Sequence, residues 1–108
     1  MKATAGQLFN EWYVYHQENP HIYQWICRLA RQAEQAGHSH YGIATIWEKI
    51  RWEITVGTND KHFKMPNNHR AYYARHWNTE HPRTDPFFRT AELRSMRHVD
   101  VDRYGRSL

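Results

Sequence analysis

The chain has 108 residues, 40% of them hydrophobic and 24% charged, which supplies one core and is too short for two. No apolar run approaches the roughly 18 residues of a membrane span, and no apolar segment with a small-residue cleavage site opens the sequence, so neither a span nor a signal peptide is expected. Cys27 is the single cysteine, which excludes an intramolecular disulfide and a multi-cysteine zinc site and points to a reducing cytoplasm. The formal charge of +4 is unevenly spread. Residues 1–60 carry five Lys/Arg against six Asp/Glu, and residues 61–108 carry ten against five. Eleven of the fifteen basic residues are Arg, the type that contacts phosphate, carboxylate and guanine edges through two parallel bonds. The basic half therefore suggests an anionic partner, although arginines paired with local carboxylates are the more ordinary reading of charge alone.

A first helix is expected after Thr4, because Thr4 and Gln7 have the spacing of a capping box. Leu8, Phe9, Trp12 and Tyr15 or His16 then recur at helical spacing. Asn19–Pro20 ends that helix and starts a second, in which Ile22, Tyr23, Ile26, Leu29, Ala30 and Ala33 share one face. Gly37 is its natural stop. After a connector at His38–Tyr41, the residues Ile43, Ile46, Trp47, Ile50 and Ile54 draw the clearest amphipathic stripe in the chain, ending at Gly57. Trp52 falls off that stripe. Packing against the first helix or the tail is the more ordinary reading for it, and an exposed interface anchor beside Arg51 is the other.

Thr58 to Pro66 reads as a polar loop. Asn67–Asn68 offers an N-cap to a fourth helix that runs to about Glu80 and stops before Pro82. Phe87 to Leu93 suits a strand or a short helix. The polar, Arg-rich tail from Ser95 is frayed or a weak terminal strand. The expected fold is mainly α, a compact bundle of about four helices with a short C-terminal extended element and a winged-helix-like variant as an option. A single helical domain is assigned to residues 1–94, and a basic polar tail, flexible in this reading, to residues 95–108.

The segment Lys64–Arg75 is the most distinctive. It sets Asn67, Asn68, His69 and Arg70 at a helix start, where free backbone N–H groups favour an anion. Asn and Arg are also the side chains that read adenine and guanine edges. Following an amphipathic helix, this segment has the makings of a recognition helix, with Phe87–Leu93 as the strand of a wing. The Gly57–Pro66 connection is longer than the usual turn of such a motif. The alternative is that the asparagines cap, Tyr73 and Trp77 pack, and the arginines are solvated.

His38 with His40, and His69 with His76, do not complete a closed zinc site, and no metal ligand set is expected. No Gly-rich phosphate loop, G-x-S-x-G or H-E-x-x-H occurs, and Cys27 lies on an apolar helical face, so neither an enzyme nor a cofactor is expected.

Taken together, Asn19–Pro20–His21–Ile22–Tyr23, Ile46–Trp52, Lys64 with Asn67–Asn68, Tyr73–Ala74–Arg75, Pro82 and Phe87–Phe88 make a pattern. It resembles that of a family of small bacterial and phage- or prophage-encoded proteins, across about residues 12–94. Relatives often carry three consecutive asparagines, whereas here Pro66 precedes two. The resemblance implies a phage-linked, cytoplasmic setting in a bacterial host. By analogy with small phage proteins, it also implies nucleic-acid binding or inhibition of host defence.

The leading expectation is a non-enzymatic binding protein that contacts nucleic acid, duplex DNA first, through its basic C-terminal half. Asn67, Asn68, Arg70 and Arg75 stand near the centre of that site, with phosphate contacts from Lys61, Lys64, Arg89, Arg94 and Arg97. The alternative is a phage anti-defence inhibitor that binds a host nucleic-acid-targeting complex, with its hot spot around Trp52. A homodimer is compatible with either reading, and no membrane partner is expected.

Overall fold

The computed structural model describes residues 4–89. Four α-helices form a mainly α bundle: α1 (Ala5–Glu18), α2 (Pro20–Gln35), α3 (Ile43–Trp52) and α4 (Arg70–Glu80). The described residues contain no strand; an isolated bridge joins Tyr41 to Phe88. No helix among them is long and apolar enough to cross a membrane.

Local chemistry sets the helix ends. Thr4 Oγ1 accepts from Gln7 N at 3.1 Å while Gln7 Oε1 accepts from Thr4 N at 2.8 Å, the reciprocal capping box that the spacing predicts. Pro20 opens α2, where the missing N–H costs nothing. Gly37, at φ 99°, ends it: Gly37 N donates to Glu34 O at 2.9 Å and His38 N to Ala33 O at 3.0 Å, a Schellman closure that a left-handed residue makes possible.

Each predicted apolar face is the face that packs. Phe9 and Trp12 from α1, Ile22, Ile26, Leu29 and Ala30 from α2, and Ile46, Trp47 and Ile50 from α3 are all buried. α4 lies among them, with Tyr73 and Trp77 packed as in the alternative to a recognition helix. Tyr72, Tyr73, Ala74, Trp77 and Asn78 are buried, so the helix is a core element rather than a surface one. The Tyr73 ring lies 5.5 Å from Trp12 and 5.7 Å from Trp47, joining α1 and α3 through α4. Aromatic pairs at such separations add to the stabilisation from buried area.

α3 does not stop cleanly at its last α-helical residue. A π-helical turn carries Glu53–Gly57 onward, with Thr58 N donating to Glu53 O at 3.1 Å, and the loop folds back as Asp60 N donates to Ile54 O at 3.2 Å. At the far end of α4, Phe87 and Phe88 are fully buried against Trp77, at 5.1 and 5.3 Å between ring centroids. Their burial leaves no exposed wing strand at 87–89, and positions 90–93 of the expected element lie outside the described residues, as does the tail. Asn78 holds this segment as a strand partner would. Its Nδ2 donates to Phe88 O at 2.8 Å and its Oδ1 accepts from Phe88 N at 3.1 Å. Tyr41 N donates to Phe87 O at 3.0 Å on the other side.

Candidate functional site

Six of the ten expected site residues fall within one stretch, from the end of α3 to the start of α4. Trp52 closes α3, Lys61 and Lys64 lie in the loop, and Asn67, Asn68 and Arg70 form the entry to α4. All except Arg70 are exposed, and Arg70 is half-buried.

The residue that organises this stretch, Arg51, was not among those expected. Its Nη1 is paired with the Glu48 carboxylate, and its Nη2 donates to Met65 O and Asn67 Oδ1, each at 2.7 Å. A guanidinium presents several donors in a fixed fork, so one side chain can hold a helix and a loop in register. Two further bonds pin the loop: Trp47 Nε1 donates to Met65 O at 3.3 Å, and the Tyr15 hydroxyl to Lys64 O at 2.9 Å. Burial pushes the Tyr15 hydroxyl up to about 12 against a smaller opposing pull from Arg51, so it stays a neutral donor at physiological pH.

The entry to α4 differs from the predicted cap. Asn67–His69 form a single 3-10 turn after Pro66, His69 N donates to Pro66 O at 3.2 Å, and no side chain caps the helix. Pro66 directs the chain into this tight turn, and Arg51 takes the Asn67 carbonyl oxygen that capping would have used. Arg70 Nε donates back to Asn67 O at 3.2 Å. His69 is buried with its ring 4.6 Å from that of Tyr15, and burial lowers its pKa. It is a packing residue.

The remaining four positions do not join this group. Arg75 is half-buried one and a half turns along α4, its guanidinium 5.8 Å from the Tyr72 ring centroid, and burial lowers its pKa against a smaller effect of Tyr72. Arg89 lines an open cavity of about 450 Å³ with His40, Tyr41, Gly42 and Thr45. That cavity is at the opposite end of α3 from Trp52, across a helix about 15 Å long. Arg94 and Arg97 lie outside the described residues. Trp52, for which packing was the more ordinary expectation, is 63% exposed, and Val56 one turn on is 55% exposed.

The stretch carries a net positive charge. Residues 48–70 hold five Lys/Arg and three Asp/Glu. Lys49 pairs with Glu53 at 3.2 Å and Arg51 with Glu48. Lys61, Lys64 and Arg70 have no carboxylate partner among the described residues, and the remaining acid, Asp60, accepts from His62 N at 3.2 Å.

A second cluster was not foreseen. His16 and His76 meet between α1 and α4 with rings 5.3 Å apart, beside Tyr23, whose hydroxyl donates to Glu80. His76 Nε2 lies 3.5 Å from the same carboxylate. His16 is stacked on Trp12 at 5.2 Å, and both histidines line an open cavity of about 500 Å³ with Phe9, Tyr13 and Pro20. Burial lowers both pKa values; the neighbouring imidazole lowers that of His16 further, and Glu80 opposes the shift in each. Among the described residues, no group of three or more His, Cys, Asp or Glu is placed to hold a metal ion. Half-buried Cys27 has its thiol pKa raised by burial, which keeps it a poor nucleophile.

No family model, curated protein or solved structure matches the chain. The described residues form a small α-helical domain with an aromatic core and, before α4, a pinned loop and turn whose cations Lys61, Lys64 and Arg70 have no carboxylate partner among those residues.

Proposed function

We propose that this is a non-enzymatic nucleic-acid-binding protein, of phage or prophage type and acting in the bacterial cytoplasm, whose contact surface is the loop and turn from Lys61 to Arg70. The observation that carries this reading is the set of three cations, Lys61, Lys64 and Arg70, without carboxylate partners on a loop held by Arg51 and Tyr15. Phosphates reward cations that are already fixed in place and not neutralised, because binding then releases counterions with little ordering cost. Asn67 and Asn68 lie in the same turn and supply amide groups for sugar or base edges. Arg75 is placed against Tyr72 and takes no direct part in this reading.

The test is fluorescence anisotropy with labelled duplex DNA, single-stranded DNA and RNA, each titrated with salt. Three neutralised phosphates predict a logarithmic salt slope of about −2 to −3. Lys64→Glu with Arg70→Glu is expected to abolish binding at moderate salt. Absence of binding at low salt, or binding unchanged by that double reversal, defeats the proposal.

One observation favours a second reading, an anti-defence inhibitor that binds a host protein complex: Trp52 and Val56, four residues apart in sequence, are both exposed. Capture of one specific host protein, lost in Trp52→Ala and accompanied by no nucleic-acid binding, is its signature.

A further inference from the structure

The sequence directs attention to duplex DNA, read by α4. The helix is poorly placed for that task. A recognition helix lays an exposed face into a groove about 12 Å wide, and α4 has Tyr72, Tyr73, Ala74, Trp77 and Asn78 buried along its 11 residues. α3 commits Ile46, Trp47 and Ile50 to the core. What the end of α3 does present is a large flat aromatic side chain: Trp52, at 63%, is the most exposed of the large hydrophobic residues among those described. It directly follows Arg51, which binds Met65 and Asn67 in the loop, and it precedes the π-helical turn onto which the loop folds back.

From this juxtaposition we infer that the ligand is a single-stranded nucleic acid, with one base stacked on the Trp52 indole and its phosphates met by Lys61, Lys64 and Arg70. The inference rests on the nucleic-acid reading above and names its substrate class. An indole face is usable by a base only when that base is unstacked from its neighbours, which a single strand offers freely and a duplex offers only at the cost of opening. Cations on a loop bonded to the end of α3, with an exposed aromatic ring on the last residue of that helix, are the two elements by which single strands are held without reading their sequence. Base pairing inside a duplex hides the faces that Trp52 needs and leaves the loop only phosphates.

The experiment compares a fluorescein-labelled single strand of mixed sequence, about twenty residues long and free of self-pairing, with the same strand annealed to its complement, at several salt concentrations at which the duplex stays annealed, for the native chain, Trp52→Ala and Trp52→Phe. Because Trp52 is exposed, both variants are expected to fold, which circular dichroism melting checks. The expected result is tighter binding of the single strand. Trp52→Ala should lose about tenfold or more in affinity for it. Trp52→Phe should keep most of the affinity, and the salt slope should be the same in all three, since an indole carries no charge. Tighter binding of the duplex, with Trp52→Ala indistinguishable from the native chain, overturns the inference and leaves the nucleic-acid reading standing. An equal loss on both ligands overturns the preference for single strands. Binding of neither ligand overturns both.

Discussion

The two ends of α4 are built on opposite plans. At its C-terminal end, Trp77 is sealed under Phe87 and Phe88, and Asn78 spends both halves of its amide on the backbone of Phe88. At its N-terminal end, Asn67 and Asn68 are exposed, and the loop before them is held by single bonds from Arg51, Trp47 and Tyr15. The first end spends its polar groups on folding; the second leaves cations facing water. One helix thus carries a sealed terminus and an exposed cationic one, so substitutions at the two should separate stability from the proposed binding.

The largest effect is expected at the sealed end. Trp77→Ala should lower unfolding free energy by about 3–5 kcal/mol, since a large buried ring is replaced by a cavity. Urea denaturation would measure it, and a loss below 1 kcal/mol would remove the sealed end from the comparison. Asn78→Leu keeps the volume but strands the Phe88 N–H and C=O, for an expected loss of about 2–5 kcal/mol. The same denaturation curve tests this, and an unchanged midpoint would mean that the amide clamp is dispensable.

Between the two ends lies the His16–His76 pair, and His69 is buried at the entry to α4. His16, His69 and His76 all have pKa values lowered in the fold, chiefly by burial. The unfolded chain, with histidines near 6.5, therefore binds more protons than the fold once the pH drops to that range. Stability is complete above about pH 6.5 and declines as pH falls through it, until the folded-state values are passed. A melting temperature lower at pH 5 than at pH 7.5, with the difference reduced in His76→Gln, is the expected outcome. A flat profile would show these imidazoles to be solvated.

A smaller effect is expected at Gly37, whose φ of 99° suits no L side chain although a Cβ there meets nothing within 4 Å. Gly37→Ala should cost about 1–2 kcal/mol by thermal melting. The smallest change in stability belongs to the open end. Lys64→Glu should shift unfolding by no more than about 0.5 kcal/mol, and Arg70→Glu, which replaces a half-buried side chain and loses its bond to Asn67 O, by about 1 kcal/mol, while each reduces binding to labelled single strands. Loss of stability there comparable with Trp77→Ala would erase the contrast between the two ends.

Much of the fold is readable along the chain because it depends on neighbours three or four residues apart. The Thr4–Gln7 box, the Pro20 start and the Gly37 stop, and the stripes of α1, α2 and α3, are properties of short spacings, and each appears where expected. The role of α4 was harder to read. Its buried residues surround an unbroken Tyr72–Tyr73–Ala74 run and include a polar Asn78, so the pattern lacks a single apolar stripe. Tyr73 and Trp77, four residues apart on one face, are the signal for packing, and nothing local marks Asn78 as buried. The candidate site was legible as composition, in Lys61, Lys64, Asn67, Asn68 and Arg70, but not as a set. Arg51 gave no sign that it would bind Asn67, and Arg75 and Arg89 gave none that packing would separate them from the rest.

Hence the sequence determines where the helices run, which faces they bury and where the positive charge accumulates, since these follow from local propensity and pattern. The tertiary structure alone decides which charges remain unpaired, which asparagine clamps and which tryptophan stays outside. The bonds that settle those questions, Arg51 to Asn67, Asn78 to Phe88 and Tyr15 to Lys64, join residues 16, 10 and 49 positions apart. Only packing the helices together brings such pairs within reach, and no short-range spacing encodes them.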